Sequence, residues 1–164
     1  MELRIRIDSR YRKHVGEPWL GGLVEATLRV AGGPRVDVEM GLFITDDNAV
    51  RKLNREYRGV DESTDVLSFA LGESRNGSGE PAFVMPPDGI LHLGEVVISY
   101  PRAARQASEH GRDPKEELAW LVVHGVLHLL GHDHDEPTRE SQMRAIERRV
   151  LSQVRSWSEE GVVA

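Results

Sequence analysis

Two histidines four residues apart, His124 and His128, lie inside the apolar run Leu118 to Leu130, and two more, His132 and His134, follow at once. On a helix a spacing of four puts both imidazoles on one face, one turn apart, where they can converge on one metal ion. Gly131 then breaks the helix and lets the chain turn back, so that His132 or His134 can supply a third nitrogen. Three protein ligands leave the fourth position to water. That is the pattern of a catalytic zinc, since structural sites are normally closed by four side chains. The chain has no cysteine, and an all-nitrogen ligand set favours zinc, with nickel or copper as substitutes in vitro. Zinc held this way brings water to a pKa of roughly 7 or polarises a carbonyl or phosphoryl oxygen. The bland alternative is a pair of hydrogen-bonded core histidines. Burying two imidazoles without a ligand costs polar desolvation twice, and four histidines fall in the stretch 124–134. The reading is therefore one zinc ion per chain.

The spacing invites comparison with H-E-x-x-H, the metalloprotease helix whose glutamate is the general base. Gly125 stands in the glutamate's place, which counts against a peptidase.

The elements that must carry these residues are legible in the patterning. Glu2 to Asp8 alternates as a half-buried strand, with Leu3, Ile5 and Ile7 on one side. Pro18 to Val30 has near-helical apolar spacing and is stopped by Gly32-Gly33-Pro34. Val36 to Thr45 reads as a strand. Asp46 or Asp47 then caps a helix running to about Tyr57, which would bury Val50, Leu53 and Tyr57. A polar loop leads to a short strand at Val66 to Leu71. Gly72 to Gly89 reads as a long loop rich in Gly, Ser and Pro. Ile90 to Ser99 is a strand whose first half alternates less clearly than its second. The remainder is helical. Tyr100 to His110 is ended by Gly111. A second helix opens with Asp113 as N-cap, Pro114 at the first position and Glu116 completing a capping box, and runs to about Leu130 with Gly131 as the left-handed residue. The last spans Pro137 to Trp157. The order predicts an α+β or α/β sandwich: a small mixed sheet packed with about five helices, the histidine helix central.

The totals narrow the classes. A chain of 164 residues predicts one domain, 1–164, able to bury a core without staples. The absence of cysteine excludes disulfides, a thiolate nucleophile and thiolate-bound metal. The N-terminus lacks the apolar stretch of a signal peptide and no segment has the ~20 apolar residues of a membrane span, so no membrane partner and a cytoplasmic location are expected. A formal net charge of -6 counts against a nucleic-acid binder, although a local basic patch stays open. Arg51, Lys52, Arg55 and Arg58 form such a stripe, diluted by nearby acids. Trp19, Trp120 and Trp157 read as core or rim, and with aromatics at 5% there is no stacking ladder for bases.

The segment His124-Gly-Val-Leu-His128-Leu-Leu-Gly-His132-Asp-His134 resembles the signature of the YbeY family of rRNA-processing endoribonucleases. Leu53-Asn-Arg-Glu-Tyr57-Arg58-Gly with Thr64-Asp65-Val-Leu-Ser68-Phe69 is similar to the family's upstream block, and Leu93-Gly94-Glu95-Val-Val-Ile98-Ser99 to a third. The blocks stand in family order. Tyrosine is frequent in the family at position 132, so the resemblance makes His134 the third ligand beside His124 and His128. Departures are Glu95 for aspartate, Ser63 and Ala70 for prolines, and an expanded 72–89 segment.

The resemblance implies a metal-associated endoribonuclease specific for single-stranded RNA. It implies action in ribosomal RNA maturation, at the 3′ end of the small-subunit rRNA, and in ribosome quality control, with ribosome or small-subunit proteins as partners. It also maps the family's arginine onto Arg58, whose planar guanidinium could clamp a phosphate and stabilise charge growing on it. A solvated arginine at a helix C-terminus is the bland alternative, because the helix dipole favours a cation there. Asp133 either orients a ligand histidine or caps a turn. The competing function is a ribosome-assembly binding factor with a structural zinc and no physiological cleavage. Whether water or the RNA 2′-hydroxyl attacks is left open.

Overall fold

The computed structural model describes residues 1–33, 36–70, 89–132 and 136–159. The alternating N-terminus forms β1 (Glu2–Ile7), and a 3-10 turn at Ser9–Tyr11, which no pattern announced, leads into α1 (Glu17–Val30). There follow β2 (Asp37–Thr45), α2 (Asp47–Arg58), β3 (Val66–Ala70), β4 (Ile90–Ser99), α3 (Tyr100–Glu109), α4 (Pro114–Leu129) and α5 (Pro137–Glu159). The loop expected over Gly72 to Gly89 lies outside the described residues except at Gly89. The sheet order is β1-β2-β4-β3, with β1, β2 and β4 parallel and β3 antiparallel at the edge. This is the predicted α+β arrangement of a small mixed sheet and five helices.

Helix α4 is central. It touches α1, α3, α5, β3 and β4, and Leu118, Leu121, Val122, Val123, Val126 and Leu127 on it are fully buried. A helix apolar all round can only be stable inside a protein, which is why the histidine pair sits in the middle of the fold. Across the sheet, α2 covers a smaller cluster of Val50, Leu67 and Val97 with Phe43, Leu53 and Phe69. Tyr57 departs from expectation. It is 70% exposed, because it stands in the last turn of α2 over the edge strand β3, where its ring makes a tilted contact with Phe69.

The poor alternation of β4 has a local cause. Glu39 pairs with His92 but Met40 pairs with Gly94, so Leu93 is an extra residue, a β-bulge. Leu91 and Leu93 before the slip, and Val96 and Ile98 after it, therefore all enter the main core. Gly94 has φ +122, and a Cβ there would lie 1.9 Å from the Phe69 carbonyl oxygen. Only glycine fits that crossing.

Candidate metal centre

The helix that presents the histidines is fixed at both ends. Asp113 caps α4 by accepting from the Lys115 N–H at 2.9 Å, with Pro114 at the first position. The expected cap is thus confirmed at Asp113, with Lys115 as the donor to its carboxylate. At the other end Gly131 has φ +90. Its N–H donates to the His128 carbonyl at 3.0 Å, and the His132 N–H donates to Leu127 at 3.0 Å. That pair of bonds is a Schellman turn, and it sends the chain back after His128 as the sequence required.

His124 and His128 meet as the spacing predicted. Their Nε2 atoms face each other at 3.0 Å, with ring centroids 4.5 Å apart and planes 77° apart. Two ligands at tetrahedral angles on bonds of ~2.0–2.1 Å would have nitrogens about 3.3 Å apart, so the pair fits one zinc ion with a small opening. His134 and Asp133 lie outside the described residues, and among the described residues no third ligand joins the two histidines. His132 is half-buried, and burial, with the positive charge of Arg139, holds its imidazole below the ordinary histidine range. It lines a small recess with Gly131, Arg139 and Gln142.

The back of His124 is built from residues the sequence reading did not single out as functional. Its ring stacks on Trp120 at 4.9 Å, and its Nδ1 lies 3.2 Å from Glu147 Oε1. The Trp120 indole N–H donates to Glu147 Oε2 at 2.8 Å. Glu147 is only 7% exposed. A signal was available: Met143, Glu147, Val150 and Val154 recur at helical spacing, so one carboxylate stands on the buried stripe of α5. Trp120 was read as core or rim and is half-buried. These three residues line one wall of an open depression of about 710 Å³ whose rim includes Arg144 and Arg148.

Arg58 ends α2 on the other side of the sheet edge. Its Nη2 donates to the Ser68 carbonyl at 2.7 Å, and its guanidinium lies 5.7 Å from the centre of the Phe69 ring. Ser68 in turn donates through Oγ to the Gly125 carbonyl at 3.1 Å. Among the described residues β3 is the edge strand, whose outward carbonyls have no ladder partner, and Arg58 takes one of them. A chain of two hydrogen bonds thus runs from Arg58 to the residue after His124. No carboxylate pairs with Arg58 among the described residues, whereas Arg51 pairs with Asp61 at 2.8 Å and Arg102 and Arg105 share Asp47.

Gly125 explains the missing protease glutamate. A Cβ there would lie 2.6 Å from Val96 Cγ1 and 3.3 Å from Val66 Cγ2, so α4 crosses the sheet where no side chain fits. Two other histidines make structural contacts. His92 pairs with Glu39 across the bulge, and His14 is exposed but stacks on Tyr100 at 5.3 Å. Ser63, one of the departures from the family pattern, donates to Asp47 at 3.1 Å. No described helix is long and apolar enough to cross a membrane.

The family model described as endoribonuclease YbeY matches residues 9–155. A protein of that name from Roseiflexus sp. (strain RS-1) is 45% identical over 150 residues, covering 90% of this chain and 89% of its own. One from Moorella thermoacetica is 46% identical over 142 residues, covering 85% and 89%. Among solved structures, the solution structure of a Thermotoga maritima protein superposes with a TM-score of 0.61 at 25% identity, covering 96% of this chain and 90% of that one. The chain therefore belongs to the endoribonuclease YbeY family.

Proposed function

We propose that this endoribonuclease uses zinc to cut single-stranded RNA, with the 3′ end of small-subunit ribosomal RNA as its substrate. On this reading it works in the cytoplasm, in rRNA maturation and ribosome quality control, in contact with the ribosome or small-subunit proteins. The observation that carries the zinc reading is the pair of facing Nε2 atoms of His124 and His128, 3.0 Å apart on a buried helix. These two would hold the ion together with His134. When bound, zinc supplies Lewis acidity to a water or a phosphoryl oxygen. Arg58 binds the scissile phosphate and offsets its growing charge. Its bond to the Ser68 carbonyl fixes the guanidinium plane at the sheet edge, leaving further donors of the fork for phosphate oxygens.

The test is elemental analysis of the wild type beside His128→Ala, followed by cleavage of a single-stranded RNA. About one zinc per chain in the wild type, lost in the variant together with cleavage while the fold persists, is the expected result. Loss of the fold with the metal would instead favour a structural zinc. No metal in either protein after zinc is supplied would remove the zinc reading.

A further inference from the structure

Glu147 is a carboxylate in an apolar place. It lies on the face of α5 shared by Met143, Val150 and Val154, each less than a tenth exposed. Burying an ionised carboxylate is tolerated only where its oxygens are hydrogen-bonded, and here each oxygen has a partner on α4. Oε2 accepts from the Trp120 indole at 2.8 Å, and Oε1 faces His124 Nδ1 at 3.2 Å. Trp120 and His124 are one turn apart and their rings stack with planes 25° apart, so the tryptophan fixes both the carboxylate and the imidazole.

An ionised carboxylate only accepts hydrogen bonds. Where Glu147 is the acceptor of the contact, Nδ1 of His124 is the donor, and in a neutral ring the lone pair is then on Nε2. That is the atom facing His128 Nε2 at 3.0 Å. We infer that Glu147 is the positioning residue of the metal centre: it holds His124 in the Nδ1–H tautomer, so that the lone pair is on Nε2, the nitrogen that would ligate. Trp120 acts behind it as the clamp on the carboxylate. The inference rests on the zinc reading above. Glu147 is not a general base on this geometry, because it meets the imidazole at the nitrogen opposite the one that would ligate.

A plain packing role for Glu147 predicts something different. Glutamine keeps the volume of the side chain but has one acceptor oxygen. If that oxygen accepts from Trp120, its amide N–H donates to His124 Nδ1 and drives the proton to Nε2. Zinc affinity of the full-length protein, measured by competition with a chelating dye, is thus expected to fall ~10–100-fold in Glu147→Gln, the usual range for the loss of a hydrogen-bond partner behind a ligand histidine. Glu147→Asp should recover part of the loss, and Trp120→Phe should lose less than Glu147→Gln. Nitrogen NMR of the metal-free protein supplies a readout that packing alone would not move: Nδ1–H on His124 in the wild type, Nε2–H in Glu147→Gln. Zinc bound equally tightly by the wild type and Glu147→Gln overturns the inference and leaves the zinc reading intact. A wild type that takes up no zinc overturns both. Should Glu147→Gln not fold, the wild-type tautomer decides, and an Nε2–H ring on His124 overturns the inference.

Discussion

Placing alanine or glutamate at position 125 tests whether packing against the sheet, rather than chemistry, dictates glycine beside the first histidine. A Cβ at Gly125 would sit 2.6 Å from Val96 Cγ1, about 1 Å inside the ordinary carbon–carbon contact of ~3.5–4.0 Å. The other Val96 methyl, at 3.2 Å, and Val66 Cγ2, at 3.3 Å, crowd the same position. Forcing a methyl into a filled core costs ~1–3 kcal/mol. Gly→Ala in a helix interior returns ~1 kcal/mol of propensity. Gly125→Ala should therefore be neutral to ~2 kcal/mol destabilising, against the ~1 kcal/mol gain of the same change at an open helical site. For a chain of this length that is a Tm lower by up to ~8 °C. Gly125→Glu adds a buried carboxylate against two valines and should lose several kcal/mol more, enough to prevent folding. Urea denaturation followed by circular dichroism reads both. In the double variant Gly125→Ala with Val96→Ala the clash is relieved, so the two changes should couple favourably by ~1 kcal/mol or more. A Gly125→Ala protein more stable than the wild type, or strict additivity with Val96→Ala, would refute the steric account. A folded Gly125→Glu protein that digests casein would also restore the peptidase reading.

Two further outcomes follow from the same geometry. Arg58→Ala should slow cleavage of single-stranded RNA ~10²–10³-fold, the scale for a lost charge-stabilising donor, while stability changes by no more than ~0.5 kcal/mol; Arg58→Lys should recover little, since an ammonium lacks the planar fork, and wild-type rates in either would remove Arg58 from the site. The Ala49 N–H and Arg10 hold the Asp46 carboxyl below the usual carboxylate value of 3.8, so its contribution is full above that pH and lost as pH falls through the lower folded value. Asp46→Ala should cost ~1 kcal/mol at neutral pH and nothing once both states are protonated, and a gap in urea midpoints that persisted in strong acid would contradict the cap.

Much of this was legible because local rules decided it. The caps at Asp46 and Asp113, the left-handed Gly131 and the four-residue histidine spacing each depend on neighbours within one turn of chain. What escaped was decided across the chain. The slip in β4 is a matter of its register with β2, and Gly94 beside it passes the Phe69 carbonyl on a third strand; no window around Ile90 to Ser99 contains either fact. Tyr57 has the spacing of the buried face, but at the end of α2 its ring meets Phe69 on the edge strand and stays exposed. Glu147 could have been found from the sequence as the one charge on an apolar stripe. Its partner could not, because nothing along the chain says that α5 lays this stripe against the turn bearing Trp120 and His124. Ser68 is harder still. Its alternation with Val66 and Ala70 turns it towards α4, yet its use as the link between Arg58 and Gly125 depends on β3 being an edge strand.

The surroundings of the histidine pair also bear on whether a zinc here would hold the fold together. A structural zinc replaces a core, and its ligands are left as costly buried polar groups when the ion is withdrawn. In this chain the ligand helix is already packed against α1, α3, α5 and two strands. When no metal is bound, the ring nitrogens of His124 face protein groups: Nδ1 faces Glu147 and Nε2, the ligating atom, faces His128. Among the described residues no buried side-chain nitrogen or oxygen lacks a hydrogen-bond partner. Withdrawing a zinc from His124 and His128 would therefore leave these two side chains hydrogen-bonded, with the apolar contacts of α4 in place. An ion held for chemistry would need such a fold, one able to persist when the metal exchanges. This is also why His128→Ala separates the two roles of the metal: the change deletes a ligand from a helix whose packing rests on Leu121, Val122 and Leu127.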